Sequence, residues 1–218
     1  MTLDLVHAII LSTKFVYGLT IKYKVLFIYL IKQSARFWIR GVYMNTFNIS
    51  IKEMTITSLF AALTAIGSYI FIPLPLSPVP ITLQLLFTLL AGGILGKKLG
   101  LLSQLLYLFM GAIGLPVFAG GTGGLGIFFG PTGGYLIGFL PAAYLAGMGN
   151  DKFRIKLLFL IGGLCTLYIC GMIGLIIFAG LDIKSALSTG ILPFIPGDLF
   201  KVLVAGYIIS KFPANKLI

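Results

Sequence analysis

Charges are spaced so widely along this chain that they act as a ruler. No charged residue occurs between Glu53 and Lys97, between Lys98 and Asp151, or between Lys156 and Asp182. A helix that crosses a bilayer needs about 20 largely apolar residues. The first interval therefore has room for two crossings, and a proline-rich turn divides it. Pro73, Pro75, Pro78 and Pro80 cannot sit together inside one helix. This spacing predicts helix one over about 54–72 and helix two over about 81–96. The second interval holds helix three (about 99–114), a glycine-rich stretch, and helix four (about 132–149). The third holds helix five, within 157–181. The last apolar region, about 186–210, is interrupted by Pro193, Pro196, Gly197, Asp198 and Lys201. It reads as a short entry segment followed by helix six, starting near Asp198.

The expected fold is all-α: an integral membrane bundle of six transmembrane helices, with a glycine-rich outer loop between helices three and four. Six crossings return both ends to one side. Lys52, Lys97, Lys98, Lys152, Arg154, Lys156, Lys211 and Lys216 all fall on the side of the termini. The opposite side has Lys184 with Asp182 beside it. The positive-inside rule then predicts a cell-membrane protein with both termini in the cytoplasm. The proline turn, the glycine stretch and residues 181–197 face outward.

Residues 1–43 differ from this six-helix domain of 44–218. They carry Lys14, Lys22, Lys24, Lys32, Arg36 and Arg40, which cut their apolar residues into short runs. Placed on a helix, all six fall within one half of the wheel, as on a helix lying at an anionic surface. A start at Met44, with residues 1–43 translated from upstream sequence, is the other reading of this basic extension.

Composition agrees with the ruler. Of 218 residues, 59% are hydrophobic and 10% charged, against about 25% charged in soluble domains. Mean hydropathy is +1.09. In such a chain the net charge of +11 sets orientation and meets anionic headgroups rather than nucleic acid. Cys165 and Cys170 fit neither a redox pair nor common zinc spacings, and packing is their expected role. His7 is the one histidine. A nucleophile–base pair or metal cluster for an intramembrane enzyme is therefore missing from the spans, and no cofactor is expected.

Two features could carry chemistry. The first is 114–135, GLPVFAGGTGGLGIFFGPTGGY, which has no charge. Irregular backbone at membrane depth is tolerated where protein or a water-filled cavity satisfies its polar groups. Gly120, Gly121, Gly123 and Gly124 would let the backbone approach a ligand closely. Phe118 and Tyr135 would enclose it. A plain interhelical loop is the alternative. The second feature is Asp198 and Lys201, three residues apart and so on one helical face. Ionisable groups inside a membrane are costly and mark functional sites by default. Asp198 reads as the N-cap of helix six. Gln84, near the outer end of helix two, adds a donor and an acceptor. Gln104 reads as interhelical glue. Ala61 and Ala65 give helix one a smooth face, and Gly92, Gly96 and Gly100 do the same further on.

The motifs PVPITLQ (78–84), GLPVFAGGTGG (114–124), GPTGGYLIGF (130–139) and FIPGDLFK (194–201) together resemble the BioY family, biotin-binding S components of energy-coupling factor transporters. The resemblance covers about 50–212. It implies a six-helix fold that captures biotin from outside. It further implies coupling to a transmembrane T protein and two ABC-type ATPases, with the face of Ala61 and Ala65 docking the T protein. Biotin's ureido N–H groups suit an Asp, and its carbonyl or carboxylate suits a Lys. Gln84, Tyr135, Phe118 and the glycine backbone would complete the site. Two rivals remain: an S component for another small vitamin or precursor, and a stand-alone biotin carrier. No Walker A sequence occurs, so an ATP-driven step would need partners.

Overall fold

The computed structural model describes residues 49–75, 77–149 and 152–211. The basic extension 1–43, with His7, and Lys216 lie outside the described residues. Helix α1, Ile51–Tyr69, opens on a capping box. The Ser50 hydroxyl accepts from the Glu53 amide at 3.2 Å, and the Glu53 carboxylate accepts from the Ser50 amide at 2.6 Å. Beyond α1, two-residue strands β1 (Phe71–Ile72) and β2 (Ile81–Thr82) pair antiparallel. The proline turn is thus the loop of a small ribbon. Helix two consequently starts at Gln84, three residues later than the spacing predicts.

Helix α2, Gln84–Ala112, is continuous in name only. Gly96 has φ 78° and ψ 171°, a region open essentially to glycine. Eight residues of straight helix span about 12 Å. Yet a Cβ on Gly100 would lie 2.6 Å from the Gly92 Cα. Residues 84–95 and 97–112 are therefore two antiparallel arms, as expected of helices two and three. Thr88 bonds Gln104 and Gln84 bonds Tyr107 across the same hairpin.

The glycine stretch continues into a 3-10 helix at Leu125–Phe129, then helix α3, Gly133–Ala146. Helix α4, Phe153–Ala179, is long and apolar enough to cross a membrane unaided. Gly134 of α3 sits on Gly174 of α4, where a Cβ would approach the opposing Cα to 2.8 Å. Small residues at such crossings are what let membrane helices pack closely. The chain then forms short α5 (Ile183–Gly190) and α6 (Ile195–Lys211), bent 53° from one another. Helix six thus begins three residues before Asp198. The Asp198 amide already donates to the Phe194 carbonyl at 2.9 Å, so Asp198 lies in the first turn and is not the N-cap.

The bundle has two chemically distinct ends. At one, the Gly96 reversal packs under Gly147, and Gly149 lies against Lys156. Exposed Lys97, Lys98, Lys152 and Arg154 belong to this end. At the other end lie the ribbon, the glycine stretch, α5 and the start of α6. Between them, Gln104 is fully buried and joins three helices. Its amide donates to Thr64 of α1 at 3.2 Å and accepts from Thr88 at 3.1 Å, which is the interhelical glue expected of it. Leu158, Ile169 and Ile177 of α4 point outward, a surface suited to lipid. Cys165 is also exposed and Cys170 half-buried, both free.

Candidate functional site

Asp198 and Lys201 sit inside the bundle at the ribbon end, 4% and 7% exposed. The Lys201 ammonium donates to Asp198 Oδ1 at 2.7 Å. The other carboxylate oxygen, Oδ2, accepts from the Tyr168 hydroxyl at 2.8 Å. Tyr168 comes from α4, thirty residues earlier, in a run with no charge to flag it. Sequence reasoning misses it because only the α4–α6 packing brings it to Asp198.

These three residues share a cavity of about 50 Å³ with Gln84 and Tyr135. By itself that is smaller than the usual small-molecule site, about 300–1,000 Å³. Leu85, Phe139, Leu167 and Phe194 supply apolar wall. A second lobe of about 320 Å³ shares Pro80, Thr82, Gln84, Tyr135 and Phe139 with the first. It extends under the glycine stretch to Phe118, Ala119 and Thr122. One lobe is thus built round a charge pair, and the other round aromatic rings and loop backbone.

Several of the polar groups are already engaged. Gln84 donates to the Tyr107 hydroxyl and accepts from Thr82 at 2.9 Å. Tyr107 donates in turn to the Val117 carbonyl at 3.0 Å. Gln84 is therefore a strut between the ribbon, the hairpin and the glycine stretch, with one N–H and one lone pair spare. Tyr135 donates its hydroxyl proton to the Gly190 carbonyl at 2.7 Å. Its ring rests on Gly171, where a Cβ would meet ring carbons at 2.2 Å. Tyr135 thus ties α3 to α5 and offers the cavity a ring rather than a donor. Lys201 retains two N–H donors, and Asp198 retains one lone pair on each oxygen.

Phe118 is fully buried, edge-on to Tyr107 and Phe128 with centroids 5.6 Å away in each case. Gly120 and Gly121 both have φ near 72° and make the tight turn 118–122. Gly124 donates to the Gly111 carbonyl at 2.7 Å, and Gly123 has Leu115 where a Cβ would stand. None of these four glycines lines either lobe. They shape the loop that presents Phe118, Ala119 and Thr122. Ala61 is fully buried in the chain's own bundle, and Ala65 is half-buried. A face through both, as the resemblance implies, is therefore not an outer surface. The exposed small residues of α1 are Thr55, Ser58 and Ala62, with Ala65 at their margin. Among the described residues no three His, Cys, Asp or Glu side chains cluster as a metal site.

The fold and cavity define a multi-pass membrane protein with a buried polar chamber near one end of its helices. Residues 42–216 match the BioY family, and the chain belongs to that family. It is 43% identical over 164 residues to a probable biotin transporter BioY of Pyrococcus horikoshii, covering 75% of this chain and 98% of that one. It is 40% identical to the biotin transporter BioY of Thermotoga maritima, covering 72% and 93%. A crystal structure of the S-component for biotin from an ECF-type ABC transporter superposes with a TM-score of 0.69. That match has 32% identity and covers 74% of this chain and 90% of that chain. The family is one of transporter components rather than enzymes.

Proposed function

We propose that this protein is the substrate-capture component of a biotin uptake transporter. It binds biotin in the Asp198–Lys201 chamber from outside the cell and delivers it with an energy-coupling module of one T protein and two ABC-type ATPases. The relatives named as biotin transporters and the solved biotin S-component support this reading. The observation that carries it is the chamber's unused bonding capacity. Asp198 has acceptors left for two N–H donors, and Lys201 has donors left for a carbonyl. A cyclic urea holds an N–H on either side of its carbonyl, so one N–H can meet Asp198 while the carbonyl meets Lys201, and the second lobe gives its tail an apolar course.

The membrane topology belongs to the same proposal. Six crossings, counting each arm of α2 and the bent α5–α6 pair as one, place the basic end in the cytoplasm. The chamber then opens outward. Docking of the T protein on α1 uses the side of Ser58, Ala62 and Ala65, because Ala61 is turned inward.

Mass spectrometry of small molecules that co-purify with the detergent-solubilised protein tests the ligand. Biotin is expected, and calorimetric titration should rank it above desthiobiotin, thiamine and riboflavin. Retention of a different vitamin would overturn the reading. Uptake of labelled biotin by cells lacking the ATPases would replace module-driven transport with a stand-alone carrier.

A further inference from the structure

We propose that Tyr168 is a positioning residue for head-group recognition: its hydroxyl locks the Asp198 carboxylate so that each oxygen keeps one acceptor open to the cavity. The proposal rests on the biotin reading above. A carboxylate's terminal torsion is broad and roughly two-fold, so a fixed orientation needs an external anchor. Lys201 is a poor anchor. It lies on the same helix as Asp198 and reaches it through a flexible four-carbon stem, so it follows the carboxylate wherever that turns. Tyr168 stands on a different helix, α4, and carries its hydroxyl on a rigid ring. It is the fixed point of the triad.

The hydrogen-bond inventory gives the arrangement its selectivity. Tyr168 has one proton and spends it on Asp198 Oδ2. Lys201 takes one lone pair of Oδ1. The carboxylate then faces the chamber with two acceptors in a set direction, and Lys201 stands beside it as donor. A head with an N–H beside a carbonyl meets the carboxylate and Lys201 together. One that has lost that N–H leaves the desolvated carboxylate without its donor. Without Tyr168 the carboxylate can turn to suit either head, and discrimination falls even where some affinity survives.

The test is calorimetric titration of wild-type and Tyr168→Phe protein in detergent, with biotin and with whichever of its two N-methyl ureido analogues the wild-type protein binds more weakly. Elution profile and ligand-free melting establish that the variant is folded. Tyr168→Phe should bind biotin roughly 10- to 100-fold more weakly, the effect of one lost charge-assisted hydrogen bond. Its preference for biotin over the methylated analogue should shrink toward parity. Unchanged biotin affinity overturns the proposal. So does an equal weakening for both ligands with the preference intact, which marks a tie between α4 and α6 and nothing more. Failure of the wild-type protein to bind biotin overturns the biotin reading itself, which keeps the two failures apart.

Discussion

Replacing Lys201 by Met separates what the buried pair does for the fold from what it does for a ligand. Asp198 and Lys201 are 4% and 7% exposed and joined at 2.7 Å. Removing one partner of such a pair strands a charge in a water-poor interior, at a cost of about 3–5 kcal/mol. For a chain of this size each kcal/mol moves the melting temperature by about 2–4 °C. Lys201→Met should therefore lower it by roughly 6–20 °C. Neutralising both residues, Asp198→Asn with Lys201→Met, removes both desolvation costs and keeps an acceptor for Tyr168. Replacement of a buried pair by neutral side chains of similar volume is often neutral or stabilising. The double variant should melt at or above the wild-type temperature, yet bind no biotin. Differential scanning fluorimetry in detergent, paired with titration of biotin, reads both quantities. Two results would refute the reasoning. If the double variant melts as low as the single one, the pair is there for the fold. If it binds biotin with near wild-type affinity, the chamber recognises its ligand by other means.

Further predictions concern the frame around the chamber. Gly171→Ala would place a methyl 2.2 Å from the Tyr135 ring. The displaced ring should break its bond to Gly190, at about 1–3 kcal/mol of overpacking, and biotin titration should show weakened binding alongside a lower melting point. Gln104→Leu takes the acceptor from the fully buried Thr88 hydroxyl and a donor from the fully buried Thr64 oxygen, whose own proton stays on the Phe60 carbonyl. A loss of about 1–3 kcal/mol is expected, with biotin affinity in the folded fraction unchanged, because Gln104 lines neither lobe. Ser50→Ala should lower the melting temperature at neutral pH. The Ser50 backbone amide and hydroxyl hold the Glu53 carboxyl below its ordinary value of 4.5. A depressed carboxyl stabilises the fold above its unfolded pKa and loses that contribution as pH falls through the folded one. The gap between wild type and Ser50→Ala should therefore narrow on acidification below about 4.5, and melts taken across that range will show whether it does.

What the chain's linear order determined is the inventory and spacing of its apolar segments. Charge is so costly in a bilayer that its absence marks out membrane-depth segments directly. The Asp198–Lys201 pair is legible for the same reason, since two ionisable groups three residues apart on one helix stand out against an uncharged background. The proline turn, the glycine stretch and the separation of α2 into two arms follow from local backbone chemistry. Tertiary packing alone decided which of these local signals face the chamber. Tyr168 is one of ten tyrosines, and nothing near it in sequence distinguishes it. Asp198 lies on another helix, and their meeting depends on how α4 crosses α6. Gln84 reads as a free donor and acceptor, and Tyr135 as a ring free to enclose a ligand, until their long-range partners Tyr107 and Gly190 are seen to hold them. Ala61 and Ala65 read as one face until the neighbouring helices cover the first of them. A hydrogen bond between helices or a buried methyl depends on rotations and crossing angles that no residue encodes alone. Those positions became readable only in three dimensions.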